Sequence, residues 1–283
     1  MTDHWDTVTI VGVGLIGGSA GLALTKRGAA KKIIGVGRSD RSLATARELG
    51  AISEGTTNLR EGVTNADLVL VATRVGVIGH QLEEIDSLCR PGTPITDAGS
   101  TKQSIVDSWE QRRSFRKGRF VGSHPLAGSH QRGPNAADPT LFEGKLTVLT
   151  PVEATPEKDT DTISAFWEIL GAKTCLLSPF EHDRLLASAS HAPHIVAAAL
   201  AMATPYEAHR FAAGGWRDTT RIAAGDPALW ADILLDNAQS VTSQVQKITE
   251  ASDRLRHAID KGDRSMLIEL LTLAKESRDA LGS

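Results

Sequence analysis

The histidine in Phe120-Val121-Gly122-Ser123-His124-Pro125 is placed to act as a base. An unperturbed imidazole titrates near pH 6.5, so a neutral histidine can take a proton at working pH. Pro125 pushes the residue before it into extended backbone, so His124 should still belong to the strand that the preceding run predicts. Ligands of open parallel sheets lie outside the carboxyl ends of the strands, which is where His124 then sits. A hydrogen-bonded structural histidine is the competing reading. Asp97-Ala98-Gly99-Ser100-Thr101-Lys102 ends another run at the same rim. Ser100 can hydrogen-bond a substrate hydroxyl or His124; equally, it can N-cap a helix beginning near Lys102.

A second set lies further along the chain. His182 precedes Ser190-His191-Ala192-Pro193-His194. On a helix Ser190 and His194 are four positions apart and share a face, with His191 at its edge. Pro193 inside that helical pattern should kink it and leave backbone groups without intrahelical partners. Histidines this close together raise the question of zinc. The spacing lacks H-E-x-x-H and no acid or cysteine completes a set, so no metal site is expected. Gly214-Gly215-Trp216-Arg217-Asp218-Thr219-Thr220-Arg221 opens another helical stretch. Arg221 can fork onto a carboxylate, with Asp218 orienting it from three residues away; a plain surface ion pair is the competing reading.

The third set binds nucleotide phosphates. Val8-Thr9-Ile10-Val11-Gly12-Val13-Gly14-Leu15-Ile16-Gly17-Gly18-Ser19 is a strand running into G-x-G-x-x-G and a helix. Gly12 permits the tight turn, Gly14 lets backbone approach a pyrophosphate, and Gly17 lets the helix pack closely on the strand. Leu15 and Ile16 open that helix. The second strand, Ile33-Ile34-Gly35-Val36, should end in an acid if the ligand is NAD, because a carboxylate accepts from the ribose 2′-OH. Gly37 stands there instead, followed by Arg38, Ser39, Asp40 and Arg41. Arg38 and Arg41 can pair with a 2′-phosphate, which favours NADP over NAD. Asp40 can be a displaced ribose acid, and the two arginines can be solvated loop charges. Thr73, at the end of the third run, completes the candidate nucleotide contacts.

Elements that position these residues follow from the apolar pattern. The runs Thr7–Val13, Lys32–Val36, Asp67–Thr73, Thr93–Asp97, Arg119–Ser123, Leu146–Thr150 and Lys173–Leu177 are mostly continuous rather than alternating. Strands covered on both faces read this way, and strand–helix repetition argues for a doubly wound α/β domain with a parallel sheet. After about Ser178 strand signals stop. Leu185–Ala203, Ala228–Ile259 and Met266–Leu281 carry helical spacing, so the reading is an α/β dinucleotide-binding domain over 1–178 and an all-helical domain over 179–283. Apolar faces on these helices suit either an internal core or a second copy of the chain.

The chain has 283 residues, 41% hydrophobic and 23% charged, which excludes a largely disordered chain. A formal charge of −3 excludes the global basic signature of a nucleic-acid binder. Two cysteines, Cys89 and Cys175, exclude a disulfide scaffold and fit a reducing compartment. No run approaches a membrane span in this reading, and the N-terminus lacks the basic start of a signal peptide, so a cytoplasmic protein that binds neither membrane nor nucleic acid is expected.

Taken together, these motifs resemble the prephenate/arogenate dehydrogenase family of tyrosine biosynthesis. The likeness runs nearly end to end, on the glycine loop, Asp97–Lys102, His124-Pro125-Leu126-Ala127-Gly128, Leu141-Phe142, Ser190–His194 and Trp216–Arg221. The resemblance implies a Rossmann-type domain, a helical domain that builds a homodimer, and an active site between them. It implies that His124 takes the proton of the ring hydroxyl, that Ser100 assists and orients it, and that Arg221, with Asp218 beside it, binds the ring carboxylate. It implies that His182, Ser190, His194 and Trp230 line the substrate pocket, with Ser129 and His130 on the loop after His124. Where the family commonly carries an acid after Ser129, this chain has His130, which favours prephenate over arogenate because an arogenate ammonium benefits from an acidic partner. Two other readings stay open. A β-hydroxyacid dehydrogenase would use a helical lysine, for which Lys247, Lys261 and Lys275 are available. A nucleotide-sensing protein would bind without turnover.

Overall fold

The computed structural model describes residues 4–111, 116–129, 131–280 and 282. Eight strands form one sheet: β1 (Trp5–Val11), β2 (Ala30–Val36), β3 (Glu54–Thr56), β4 (Leu68–Val71), β5 (Pro94–Asp97), β6 (Arg119–Pro125), β7 (Leu146–Thr150) and β8 (Lys173–Leu176). They lie in the order β3-β2-β1-β4-β5-β6-β7-β8. The crossover helices are α1 (Leu15–Arg27), α2 (Asp40–Glu48), α3 (Leu59–Val63), α4 (Val75–Leu88), α5 (Gln103–Glu110) and α6 (Glu157–Ile169). The order reverses between β1 and β4, and that switch point is where doubly wound sheets open a ligand crevice.

The continuous apolar runs have a simple cause. In β4, Leu68 and Leu70 join a core on one face while Val69 and Val71 join a core on the other. All four are 0% exposed. Burying such a side chain is worth roughly 1.5–3 kcal/mol, so a strand with a polar face would forfeit several kcal/mol here. The first core continues through Phe142, Phe166 and Trp167, whose rings meet edge to face at 5.4 Å.

The sheet departs from the sequence reading in two places. β7 runs antiparallel to β6, with His124 opposite Val148, while β8 is parallel to β7. A parallel return needs a crossover element. Among the described residues, the connection between β6 and β7 holds only the short 3-10 turn Pro134–Ala136. The three-residue edge strand β3 carries no apolar run and escaped detection; it pairs in parallel with Ile34–Val36.

After β8 the described chain is helical: α7 (Pro179–Leu186), α8 (Ala192–Ala203), α9 (Gly214–Thr220), α10 (Pro227–Asp236), α11 (Ala238–Asp260) and α12 (Arg264–Asp279). Between α7 and α8, Ala187–His191 form a π turn. Pro193 cannot donate and crowds the preceding turn, and the π turn accommodates it at the first positions of α8. The predicted helix over Ala228–Ile259 is two helices. Asn237 ends one and caps the other, and its buried amide donates to the Asp183 carbonyl oxygen. The continuous stretch Pro179–Ala203 has a mean hydropathy of 1.4 in its most apolar window, long and apolar enough to cross a membrane by length and composition alone. That corrects the reading that no run approaches such a span. Its His182, His191 and His194 are buried in the interior of this fold.

Candidate active site

The glycine loop lies at the switch point. Gly12 has φ +96°, and a Cβ there would lie 2.6 Å from the Ala72 carbonyl oxygen and 2.9 Å from the Thr73 methyl. At Gly17 a Cβ would lie 2.0 Å from the Gly12 carbonyl oxygen, so that position seats α1 against the loop. Gly14 differs: a Cβ there would meet nothing within 4 Å. Gly14 is also the N-cap of α1, with no side-chain cap and no acid in the first turn. The first N–H groups of α1, from Leu15 and Ile16 onward, are therefore free to face an anion across an open approach. This cradle fits a dinucleotide pyrophosphate.

Beyond β2, Arg38 and Arg41 are exposed and make no ion pair among the described residues. Ser39 N-caps α2 by accepting from the Ser42 N–H. Asp40 falls in the first turn of α2, where the helix dipole favours an acid. Thr73, half-buried beside Gly12, donates its hydroxyl to Gln81 Oε1.

His124 sits at the end of β6, half-buried at the rim. Its Nδ1 lies 2.9 Å from His182 Nε2. His182 Nδ1 lies 2.7 Å from Asp183 Oδ1. The direction of the chain follows from the carboxylate, which can only accept. His182 Nδ1 must carry the proton given to Asp183, so His182 Nε2 accepts and His124 Nδ1 donates. That leaves His124 Nε2 with a bare lone pair. Asp183 is held in turn: Oδ1 accepts from the Lys102 N–H at 2.8 Å and Oδ2 from the Gln103 N–H at 2.9 Å. Burial alone would raise the Asp183 carboxyl, but the His182 bond and these N–H groups outweigh it and hold the acid below its ordinary value. Loss of water, then the neighbouring His182, Lys102 and His191, push His124 well below the usual imidazole range. Burial likewise lowers His182, against the pull of Asp183.

Several expected contacts are rearranged. His182 is fully buried behind His124 rather than simply lining a pocket. Ser100 is half-buried at the rim, but its hydroxyl does not bond His124. Nor does Ser100 cap α5: the leading N–H groups go to Asp183, from the helical part of the chain. Arg221 is exposed and makes no ion pair with Asp218. The reason is local: α9 ends at Thr220 and the backbone tightens into a 3-10 turn over Arg221–Ala224, so one helical spacing does not span the pair. Ser190 stays half-buried in the π turn, and His191 is buried and bonded to Asn237. His194 stacks on Trp230 with ring centroids 3.6 Å apart and planes 12° apart. His194 Nδ1 is buried without a partner. Gly225 completes that corner, since a Cβ there would lie 2.5 Å from Trp230 Nε1. Ser129 is exposed and accepts from the Gln131 N–H; His130 lies outside the described residues. Asp183 and Lys102 are the site groups the sequence reading left without a role. The contact that joins them spans 81 positions of the chain, so no spacing rule brings the two together. Lys247, Lys261 and Lys275 are exposed, and Lys275 pairs with Asp279.

Both parts of the chain match known domains. Residues 20–176 match the nucleotide-binding domain of prephenate dehydrogenase, and residues 178–273 match its dimerization domain. Prephenate dehydrogenase of Bacillus subtilis is 38% identical over 288 residues, covering 99% of this chain and 77% of that protein. The crystal structure of Aquifex aeolicus prephenate dehydrogenase with hydroxyphenyl propionate and NAD+ superposes with a TM-score of 0.89 at 31% identity, covering 98% of both chains. Synechocystis arogenate dehydrogenase superposes at 0.82 with 30% identity, covering 97% of this chain and 99% of that one. The chain belongs to the prephenate dehydrogenase family.

Proposed function

We propose that the protein is a nicotinamide-dependent prephenate dehydrogenase that converts prephenate to 4-hydroxyphenylpyruvate and CO₂, as one step in making tyrosine. The observation that carries the reading is the chain from His124 through His182 to Asp183, which presents an unprotonated Nε2 at the sheet's carboxyl edge. A bound nicotinamide dinucleotide supplies the hydride acceptor. His124 Nε2 takes the proton of the C4 hydroxyl as that carbon is oxidised. The resulting dienone is vinylogous to a β-keto acid, so the C1 carboxylate leaves as CO₂ and the ring becomes aromatic. Arg221, an exposed cation that pairs with no carboxylate among the described residues, is the group that anchors the ring carboxylate by charge-assisted hydrogen bonds. Its value is positioning, because a tighter grip on the departing group would oppose decarboxylation. Ser100, Ser190, His194, Trp230 and the Ser129-His130 loop form the remaining walls.

Charge favours prephenate over arogenate. An arogenate ammonium needs an acid, and three of the four nearby acids are engaged. Asp183 holds His182, Glu181 pairs with Arg184, and Asp226 pairs with Arg132. Only Asp218 is left unpaired among these. For the cofactor, Gly37 removes the acid that would repel a 2′-phosphate, and Arg38 and Arg41 stand free, so NADP is preferred over NAD. The division at 178/179, a cytoplasmic location and a homodimer built by the helical part complete the proposal. The test is reduced-nicotinamide formation from each of prephenate and arogenate with each of NADP and NAD. Highest kcat/KM for prephenate with NADP is expected. A strong preference for arogenate overturns the substrate, equal use of both cofactors overturns the NADP assignment, and no turnover with either substrate overturns the enzyme.

A further inference from the structure

We propose that Lys102 is a positioning residue for the oxidation: its buried ammonium and its backbone N–H hold the two ends of the His124–His182–Asp183 relay, and its charge excludes a second cation beside them. The proposal rests on His124 being the base. Lys102 is 0% exposed, a rare place for an ammonium. Its Nζ donates to Asp97 and, at 2.9 Å, to the carbonyl oxygen of Ser123. Asp97 Oδ1 accepts from the Ser123 N–H at 3.0 Å. The Lys102–Asp97 pair thus grips both backbone groups of the residue that precedes His124. At the other end, the Lys102 N–H donates to the same Asp183 oxygen that takes the His182 proton. One residue therefore fixes the base's backbone and the acceptor that sets its tautomer.

A buried ion pair is poor evidence of stabilisation, because a well-packed apolar pair often serves as well or better. Here the charge has a use. The titratable and charged groups facing this cluster are His182 and Asp183 on α7, His191 in the π turn, Asp97 at the end of β5, and Asp236 at the end of α10. Asp183 lies behind His182, so among the described residues no carboxylate hydrogen-bonds His124. An imidazolium there would face the Lys102 ammonium with no acid of its own. Burial lowers Lys102 from its ordinary value while Asp97, in contact, opposes that shift.

Lys102→Met combined with Asp97→Asn removes the charge without leaving a lone buried acid. Two readouts are compared with the parent: the pH profile of kcat/KM, and the NMR titration of the His124 ring, assigned by its loss in His124→Asn. The acid limb and the ring titration should rise together toward the ordinary imidazole value. The midpoint of the acid limb should rise by about half a pH unit or more, a loss of about threefold in kcat/KM at pH values well below both midpoints. A uniform loss of kcat with the limb and titration unmoved overturns the proposal, because that is what a purely structural pair would do. A parent His124 that titrates at the ordinary value also overturns it, with no variant needed. If the double variant does not bind nucleotide, the titration in Lys102→Gln combined with Asp97→Asn decides on the same terms. The titration needs no turnover, so failure of prephenate as substrate and failure of the Lys102 assignment remain distinguishable.

Discussion

A histidine serves as a base only if the nitrogen that faces the substrate has a lone pair, and at His124 that choice is made two side chains away. Asp183 can only accept, which orients His182, which orients His124. His124→Asn keeps a polar side chain but no base. Its kcat/KM should fall about 10²–10⁴-fold while nucleotide affinity, read by calorimetry, stays near the parent value. Turnover within about threefold of the parent would remove His124 from the base role. At this scale the sequence exposed the groups proposed to meet the substrate and concealed the contacts that orient His124. His124 was legible because a proline fixed its backbone at a strand's end. Ser100 looked like a cap or a partner of His124, and it makes neither bond, because Asp183 arrives from a distant helix to bond the Lys102 and Gln103 N–H groups and the His124 ring bonds His182.

Elements read well where one cause dominates. The strands were legible because both faces are buried, as Leu68–Val71 show, and the glycine loop because Gly12 and Gly17 sit against groups that exclude a Cβ while Gly14 leaves an open approach. Direction and local pitch were not, since they depend on what the connections hold. The β6–β7 link lacks a crossover helix, so β7 turns antiparallel. The turns at Ala187–His191 and Arg221–Ala224 change the helical pitch, so spacing rules that assume one pitch misplaced His191 and separated Arg221 from Asp218. Cofactor choice belongs to the β2–α2 junction. Asp40 already has a structural role in the first turn of α2, whereas Arg38 is exposed and makes no ion pair among the described residues. Arg38→Ala should weaken NADP by about tenfold, the worth of one charge-assisted hydrogen bond at about 1.4 kcal/mol, and leave NAD within about twofold. Equal losses for the two nucleotides would mean that Arg38 does not meet the 2′-phosphate.

The whole molecule inherits two properties from this design. The first is acid sensitivity. Burial lowers His191 to about 4, with its Nδ1 accepting from the Asn237 amide. Because the folded value is depressed below the unfolded one near 6.5, the unfolded chain binds the proton first. His191 therefore costs nothing above pH 6.5, and stability is lost as pH falls from about 6.5 toward about 4. At pH 5 the loss is on the order of 2 kcal/mol. Urea midpoints at pH 7.5 and 5 should show it, and His191→Gln, which can still accept from Asn237, should shrink the difference; an unchanged slope would mean that His191 does not titrate on unfolding. The second property is assembly. In α12 no residue is buried, yet Ile268, Leu271 and Leu273 are 47%, 54% and 52% exposed. Met202 at the end of α8 is 82% exposed, and Tyr206, Phe211, Leu235 and Ile259 are open as well. A soluble monomer rarely leaves so much apolar surface on one part of the chain uncovered. A two-fold interface would remove it from water. Light scattering should therefore give about twice 30.1 kDa. Leu271→Asp would place charges on both sides of a symmetric contact, and should yield a monomer whose thermal midpoint no longer rises with protein concentration. A parent that is monomeric at micromolar concentration, or a variant that remains dimeric with an unchanged concentration dependence, would take α12 out of the interface.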